Sequence, residues 1–104
     1  MDESIIEDSL QLIKKDLPVE SNFDDRQDYT ADRLLAWLTS EISRMLDEDF
    51  GALLNALYRI DVPEQSVKTL LELEAPDQIA PSLARLVMDR QFQKVITRRR
   101  YAEE

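Results

Sequence analysis

Residues 30–51 read TADRLLAWLTSEISRMLDEDFG, and this stretch decides the fold class. Leu34, Leu35, Leu38, Ile42, Met45 and Leu46 recur with the 3.6-residue period of a helix, and no strand-like alternation interrupts them. Thr30 precedes the run as an N-cap, and Asp32 complements the positive end of the helix dipole. Trp37 lies off the centre of the apolar stripe, where packing at the core edge is the expectation. The acidic triplet Asp47-Glu48-Asp49 before Phe50-Gly51 marks a junction to a further helix with an aspartate as its cap. One helix continuing through Gly51 is the alternative, because an internal glycine costs only ~1 kcal/mol.

The same period extends outward in both directions. Upstream, Ile6, Leu10, Ile13 and Leu17 predict a helix from about Glu3 to Asp16, widened by Ile5 and Leu12 and stopped by Pro18. Ser4 and Glu7 fit a capping box, and Lys14 and Lys15 suit the negative end of the dipole. Residues 18–30 show no period and form a long irregular connection, with Val19, Phe23 and Tyr29 as its expected anchors to the core. Downstream, Phe50, Leu53, Leu54, Leu57 and Ile60 form a third stripe bordered by Tyr58. Asp61-Val62-Pro63-Glu64 reads as the cap and first turn of a short fourth helix carrying Val67, Leu70 and Leu71, with Leu73 less firmly placed. A last helix starts at Asp77 or Ser82 and runs to about Arg100, with residues 97–104 as its end or a frayed tail. The prediction is an all-α bundle of four to five helices in a single domain over residues 1–104.

Composition narrows the chemistry. Cysteine and histidine are absent and glycine occurs once. Thiol nucleophiles, disulfides, Cys/His zinc sites and histidine triads are therefore ruled out, and phosphate-cradling glycine loops are disfavoured. A calcium loop centred on Gly51 fails, because its first ligand position would fall on Leu46. The acidic groups Asp47–Asp49 and Asp24, Asp25 and Asp28 are read as caps and solvated charge. A carboxylate-pair hydrolase would need a sugar-sized cleft that so small a helical chain rarely builds. The expectation is a non-enzymatic protein with no catalytic residues, no metal site and no cofactor. Nothing marks a signal peptide or a bilayer span, so a cytoplasmic location without membrane contact is the default.

Charge is unevenly distributed. Residues 1–52 carry 14 acidic against 5 basic side chains, a net of −9, while residues 53–104 carry 8 of each. Arg90, Lys94 and Arg98 recur at i, i+4, i+8 near the C-terminus, and Arg99 and Arg100 extend the positive end. Two readings stay open for these five residues. They stabilise the C-terminus of the helix and pair with the acidic half of the chain. Or they form a partner-binding surface for an acidic protein, a second copy of the chain, or phosphate. Nucleic acid ranks below protein, because a net charge of −9 repels phosphate at long range.

Leu57-Tyr58-Arg59-Ile60-Asp61-Val62-Pro63-Glu64, with Ile79-Ala80, Arg90-Gln91-Phe92-Gln93-Lys94 and Thr97-Arg98-Arg99-Arg100-Tyr101, resembles a group of small helical proteins of bacteria to which no activity is attached. The resemblance spans about residues 50–101. It implies a bacterial, cytoplasmic protein and carries over no catalytic or ligand residue. The leading functional expectation is thus a protein-interaction or regulatory module, with a nucleic-acid-associated factor using the basic end of the last helix as the alternative.

Overall fold

The computed structural model describes residues 2–24, 26 and 28–103; Met1, Asp25, Gln27 and Glu104 lie outside the described residues. Among the described residues there are five helices and no strand: α1 (Glu3–Asp16), α2 (Ala31–Glu48), α3 (Phe50–Arg59), α4 (Glu64–Leu73) and α5 (Pro76–Glu103). The all-α reading of four to five helices holds, with five present among the described residues, and the chain breaks at Asp49 rather than running through Gly51 as one helix.

Most boundaries follow local chemistry. Thr30 accepts from the Arg33 amide, as the sequence predicts, and of the two aspartates offered as the cap of α3 it is Asp49 that accepts, from the Ala52 amide. Two caps differ. At α1 the cap is Asp2, whose carboxylate takes both the amide and the hydroxyl of Ser4; Ser4 is a donor inside the helix and not the cap. The charged acceptor two residues upstream outcompetes a neutral hydroxyl for the orphan amides of the first turn. At α4 the cap is Pro63, without a side-chain bond, and Asp61 instead sits in the left-handed region at φ 64°. Aspartate tolerates that region better than most residues, which lets the chain turn tightly out of α3. α5 begins at Pro76, earlier than expected, and continues through Pro81 to Glu103 without a break.

Helix α5 organises the bundle by packing along both α1 and α2, with α4 against it as well. It lies antiparallel to α1: Arg99 reaches Ser4 and Asp8 at the start of α1, and Gln91 reaches Asp16 at its end. The core is a continuous set of aliphatic side chains, among them Ile6, Leu10, Leu34, Leu38, Leu83 and Val87.

The connection over residues 18–30 has a geometric purpose. Glu3 at the start of α1 accepts from the Tyr29 amide at the start of α2, while Pro18 beyond the end of α1 accepts from Arg44 near the end of α2. The two helices therefore run parallel, and the chain must return the length of α1 between them. A helix of 14 residues spans roughly 21 Å, which a short loop cannot cover. The returning strap is pinned at several places. Phe23 is buried, stacks on Tyr29 with centroids 5.8 Å apart, and meets Trp37 edge-on at 5.8 Å. The Arg33 guanidinium lies 4.6 Å over the Phe23 ring and donates to the carbonyls of Asp24 and Asp28. Val19, Phe23 and Tyr29 are the expected anchors, and Trp37 packs half-buried at the core edge while donating to the Ser21 carbonyl at 3.3 Å.

Two buried polar side chains lie behind this strap and beside it. Glu41, 3% exposed, accepts from the backbone amides of Glu20 and Ser21, with Arg44 Nε 3.7 Å from its other oxygen. Gln91 on α5 is fully enclosed; its Nε2 donates to Asp16 at 3.0 Å, but its Oε1 has no hydrogen-bond partner among the described residues. A buried unmet acceptor costs roughly 1–3 kcal/mol, while Asp16 is half-exposed and can recover water as a partner. Gln91→Met, similar in size, is therefore expected to raise stability by about 0.5–1 kcal/mol in urea unfolding. A loss of stability would show that the bond to Asp16 outweighs the orphaned oxygen.

Candidate functional site

The five cations singled out in the sequence do not form one surface. Arg90 bends toward the α3–α4 turn, donating from Nε to the Ile60 carbonyl at 3.2 Å and lying 3.9 Å from the Asp61 carboxylate. Arg99 bridges to α1, donating to Ser4 at 2.9 Å and Asp8 at 2.7 Å, with Asp2 at 3.9 Å. These two arginines hold the fold together and belong to the first of the two readings. Lys94, Arg98 and Arg100 make no ion pair with the described residues. They leave a smaller positive end to α5, beside the exposed ring of Tyr101.

The acidic groups of the N-terminal half are also dispersed. Asp49 caps α3, Glu48 pairs with Arg44 at 3.4 Å, and Asp24 holds Arg26 at 3.1 Å. Among the described residues, no group of three or more carboxylates is arranged to hold a metal ion. No helix is long and apolar enough to cross a membrane.

A concave site forms elsewhere, between α3 and α4. The turn at Ile60–Pro63 joins the two helices, and Val62 returns its amide to the Leu57 carbonyl at 3.1 Å. The helices are left apart beyond that point, with a cleft of about 160 Å³ between them. Leu54 and Leu57 from α3, Val62 from the turn, and Val67 and Leu71 from α4 make its walls. Tyr58, Glu64 and Lys68 stand at its rim. Helix α4 buries Val67 alone among its described residues, so most of its apolar stripe faces this cleft or solvent; Leu73 is 79% exposed.

At the rim, Glu64 stands beside Tyr58, and hydrogen bonding to it together with its negative charge raises the Tyr58 pKa above its ordinary value near 10. The bond is made only by the protonated phenol in the folded chain. Its stabilising contribution is therefore complete below pH 10 and is lost as the pH rises through the higher folded value. Absorbance titration near 295 nm should show Tyr58 ionising above the ordinary phenol value, and Glu64→Gln should lower its pKa toward that value. An unmoved titration would dissociate Tyr58 from Glu64.

The stripes that line the cleft are legible in the sequence, but the cleft is not. Each helix alone reads as having one buried face. Only the splay of α3 from α4 leaves those faces partly uncovered. The one local signal is Tyr58, a large amphipathic side chain at the edge of an apolar stripe. No protein-family model, curated protein or solved structure matches the chain.

Proposed function

We propose that this protein is a non-enzymatic interaction module, cytoplasmic in location, that docks a partner protein in the α3–α4 cleft. The observation that carries this reading is the apolar trough floored by the buried Leu57, Val62 and Val67 and sided by the half-buried Leu54 and Leu71, with an aromatic phenol at its edge. Sites that enclose small molecules usually measure ~300–1,000 Å³ and converge several polar groups. A cleft of about 160 Å³ with an apolar floor suits the side chains of a protein instead.

A second reading rests on Lys94, Arg98 and Arg100, cations in the C-terminal part of α5 that make no ion pair with the described residues. In that reading the end of α5 meets an acidic protein surface, a second copy of the chain, or a nucleic-acid backbone. Two variants separate the readings in affinity capture from host lysate, with and without nuclease, read by mass spectrometry. Leu71→Lys places a charge in the cleft wall, and the triple reversal of Lys94, Arg98 and Arg100 to glutamate removes the basic end. The cleft reading expects one partner held by the wild type and the triple variant and lost by Leu71→Lys with helicity unchanged. Loss in the triple variant alone would transfer the site to α5. Disappearance of everything after nuclease, with binding that weakens steeply in salt, would identify nucleic acid as the ligand.

A further inference from the structure

We infer that α4 is a separate unit of order within the fold: it melts off a bundle of α1, α2, α3 and α5 that stays folded, and in doing so opens one wall of the α3–α4 cleft. The inference stands whether or not a partner docks in that cleft.

Helix α4 is held by little. Among the described residues between Val62 and Ala80, both buried, Val67 alone is buried. Leu70 and Leu71 are half-buried against the core, and Leu73 is 79% exposed. Helix α3 has the same length, yet it buries Leu53, Ala56 and Leu57 and carries a side-chain cap from Asp49. Helix α4 starts after Pro63 with no side-chain cap. Its last turn holds no basic residue, and Glu72 and Glu74 stand at the negative end of its dipole, where carboxylates are unfavourable. The Ser82 hydroxyl donates to Glu74 at 2.9 Å, and Glu64 stands beside Tyr58. Both contacts are exposed, so water replaces them at little cost.

The chain on either side of α4 is anchored without it. Upstream, Ile60 is fully buried, its carbonyl accepts from Arg90 on α5 at 3.2 Å, and the Val62 amide donates to Leu57 at 3.1 Å. Downstream, Glu74 is extended and α5 begins at Pro76. Ten helical residues span roughly 15 Å, whereas ten extended residues reach more than about 30 Å. The segment is therefore long enough to stay attached at both ends while disordered. A helix this short does not persist in water without tertiary contacts, so release of Val67 and loss of the helix are one event. The rest of the bundle keeps its own packing, α5 along α1 and α2 and α2 against α3.

Val67 and Leu71 form the α4 wall of the cleft, so the width of the cleft follows this equilibrium. When α4 is released, Leu57 and Val62, buried in the closed fold, meet solvent. Order and disorder of one short segment is a recurrent form of molecular switch.

The test is native-state hydrogen exchange of the whole chain, read amide by amide by NMR. The amides from Val67 to Glu74 are expected to exchange about 100-fold faster than the slowest amides of α2 and α5, with α3 following the slow group. Urea at about 1 M, below the unfolding transition, should accelerate the slow amides severalfold and leave those of α4 nearly unchanged, because releasing α4 exposes little new surface. Ile6→Val gives an independent check. Ile6 is buried on α1 between Ser4 and Asp8, which meet Arg99 near the far end of α5 from α4. The substitution weakens the closed and the α4-released states alike, so it should speed the slow amides roughly threefold to tenfold and leave α4 unchanged. Protection of α4 equal to that of α2, or α4 rates that rise in step with the slow amides in urea and in Ile6→Val, would show that α4 opens only when the whole fold does, and would overturn the inference. Fast exchange of α3 together with α4 would overturn it as well, and so would α4 amides exchanging as an open chain, since no closed state would then exist to be released.

Discussion

Replacing Glu41 by alanine is expected to lower stability by about 3 kcal/mol, the cost of breaking a buried charged network from one side. Two backbone amides, those of Glu20 and Ser21, lose their acceptor, and Arg44 keeps a buried Nε that already has no hydrogen-bond partner among the described residues. The remaining pairs of Arg44, with Glu20 at 3.5 Å and Glu48 at 3.4 Å, reach its exposed end and are worth little in water. For a chain of this size the melting temperature should fall by roughly 12–20 °C. Glu41→Gln keeps a carbonyl oxygen for the amides and should cost less than half as much. Equal losses in the two variants would mean that the carboxylate charge, and not its hydrogen bonds to the strap, is what α2 requires. A loss below about 1 kcal/mol in the alanine variant would remove the network from the account of the fold.

Phe23→Ala is expected to cost a similar amount, about 3 kcal/mol, at the low end for deleting a buried aromatic because the strap can relax around the gap. The ring is the meeting point of three others: it stacks on Tyr29, takes the edge of Trp37 and lies under Arg33. Its removal frees Trp37 as well, so the lost stability should come with a red shift of the fluorescence of the one tryptophan. Helical circular dichroism should be retained at low temperature, because none of the five helices contains Phe23. An unshifted emission spectrum with full stability would show that the strap is not held by this cluster.

Both predictions concern the segment that the sequence describes least. Residues 18–30 have no period, and a long unpatterned connection suggests either mobility or function. The structure assigns it a third role: it closes the distance between two parallel helices and is itself held by a buried carboxylate. Glu41 shows why this is hard to read in advance. In the sequence it is an ordinary charged residue at the start of the second half of a helix. Its burial depends on where a chain segment twenty residues away crosses α2.

The basic residues of α5 divide for the same reason. Their spacing places Arg90, Lys94 and Arg98 along one side of a helix, a local fact that holds in the folded chain. Whether each cation faces water or another helix is decided by elements far away in sequence. Arg99 finds Ser4 and Asp8 more than ninety residues upstream, and Arg90 finds the carbonyl of Ile60 thirty residues upstream. A surface of five cations in the sequence becomes two tethers and three side chains without an ion pair among the described residues.

What the sequence determined by itself is what depends on neighbours within a turn or two: the helical class, the buried faces of α1 to α3 and the cap at Thr30. Period and capping act over three or four residues and need no other element to be present. The tertiary structure alone decided which polar groups went inside and which apolar ones stayed out. Glu41 and Gln91 are enclosed because α2 and α5 each meet another segment at that level, while Leu73 stays out and Leu54 and Leu71 stay half-covered because α4 packs on α5 and stands off from α3. Burial is a property of the contacts between elements, and an amphipathic stripe records only that a helix has a face to cover, not whether its own chain covers all of it.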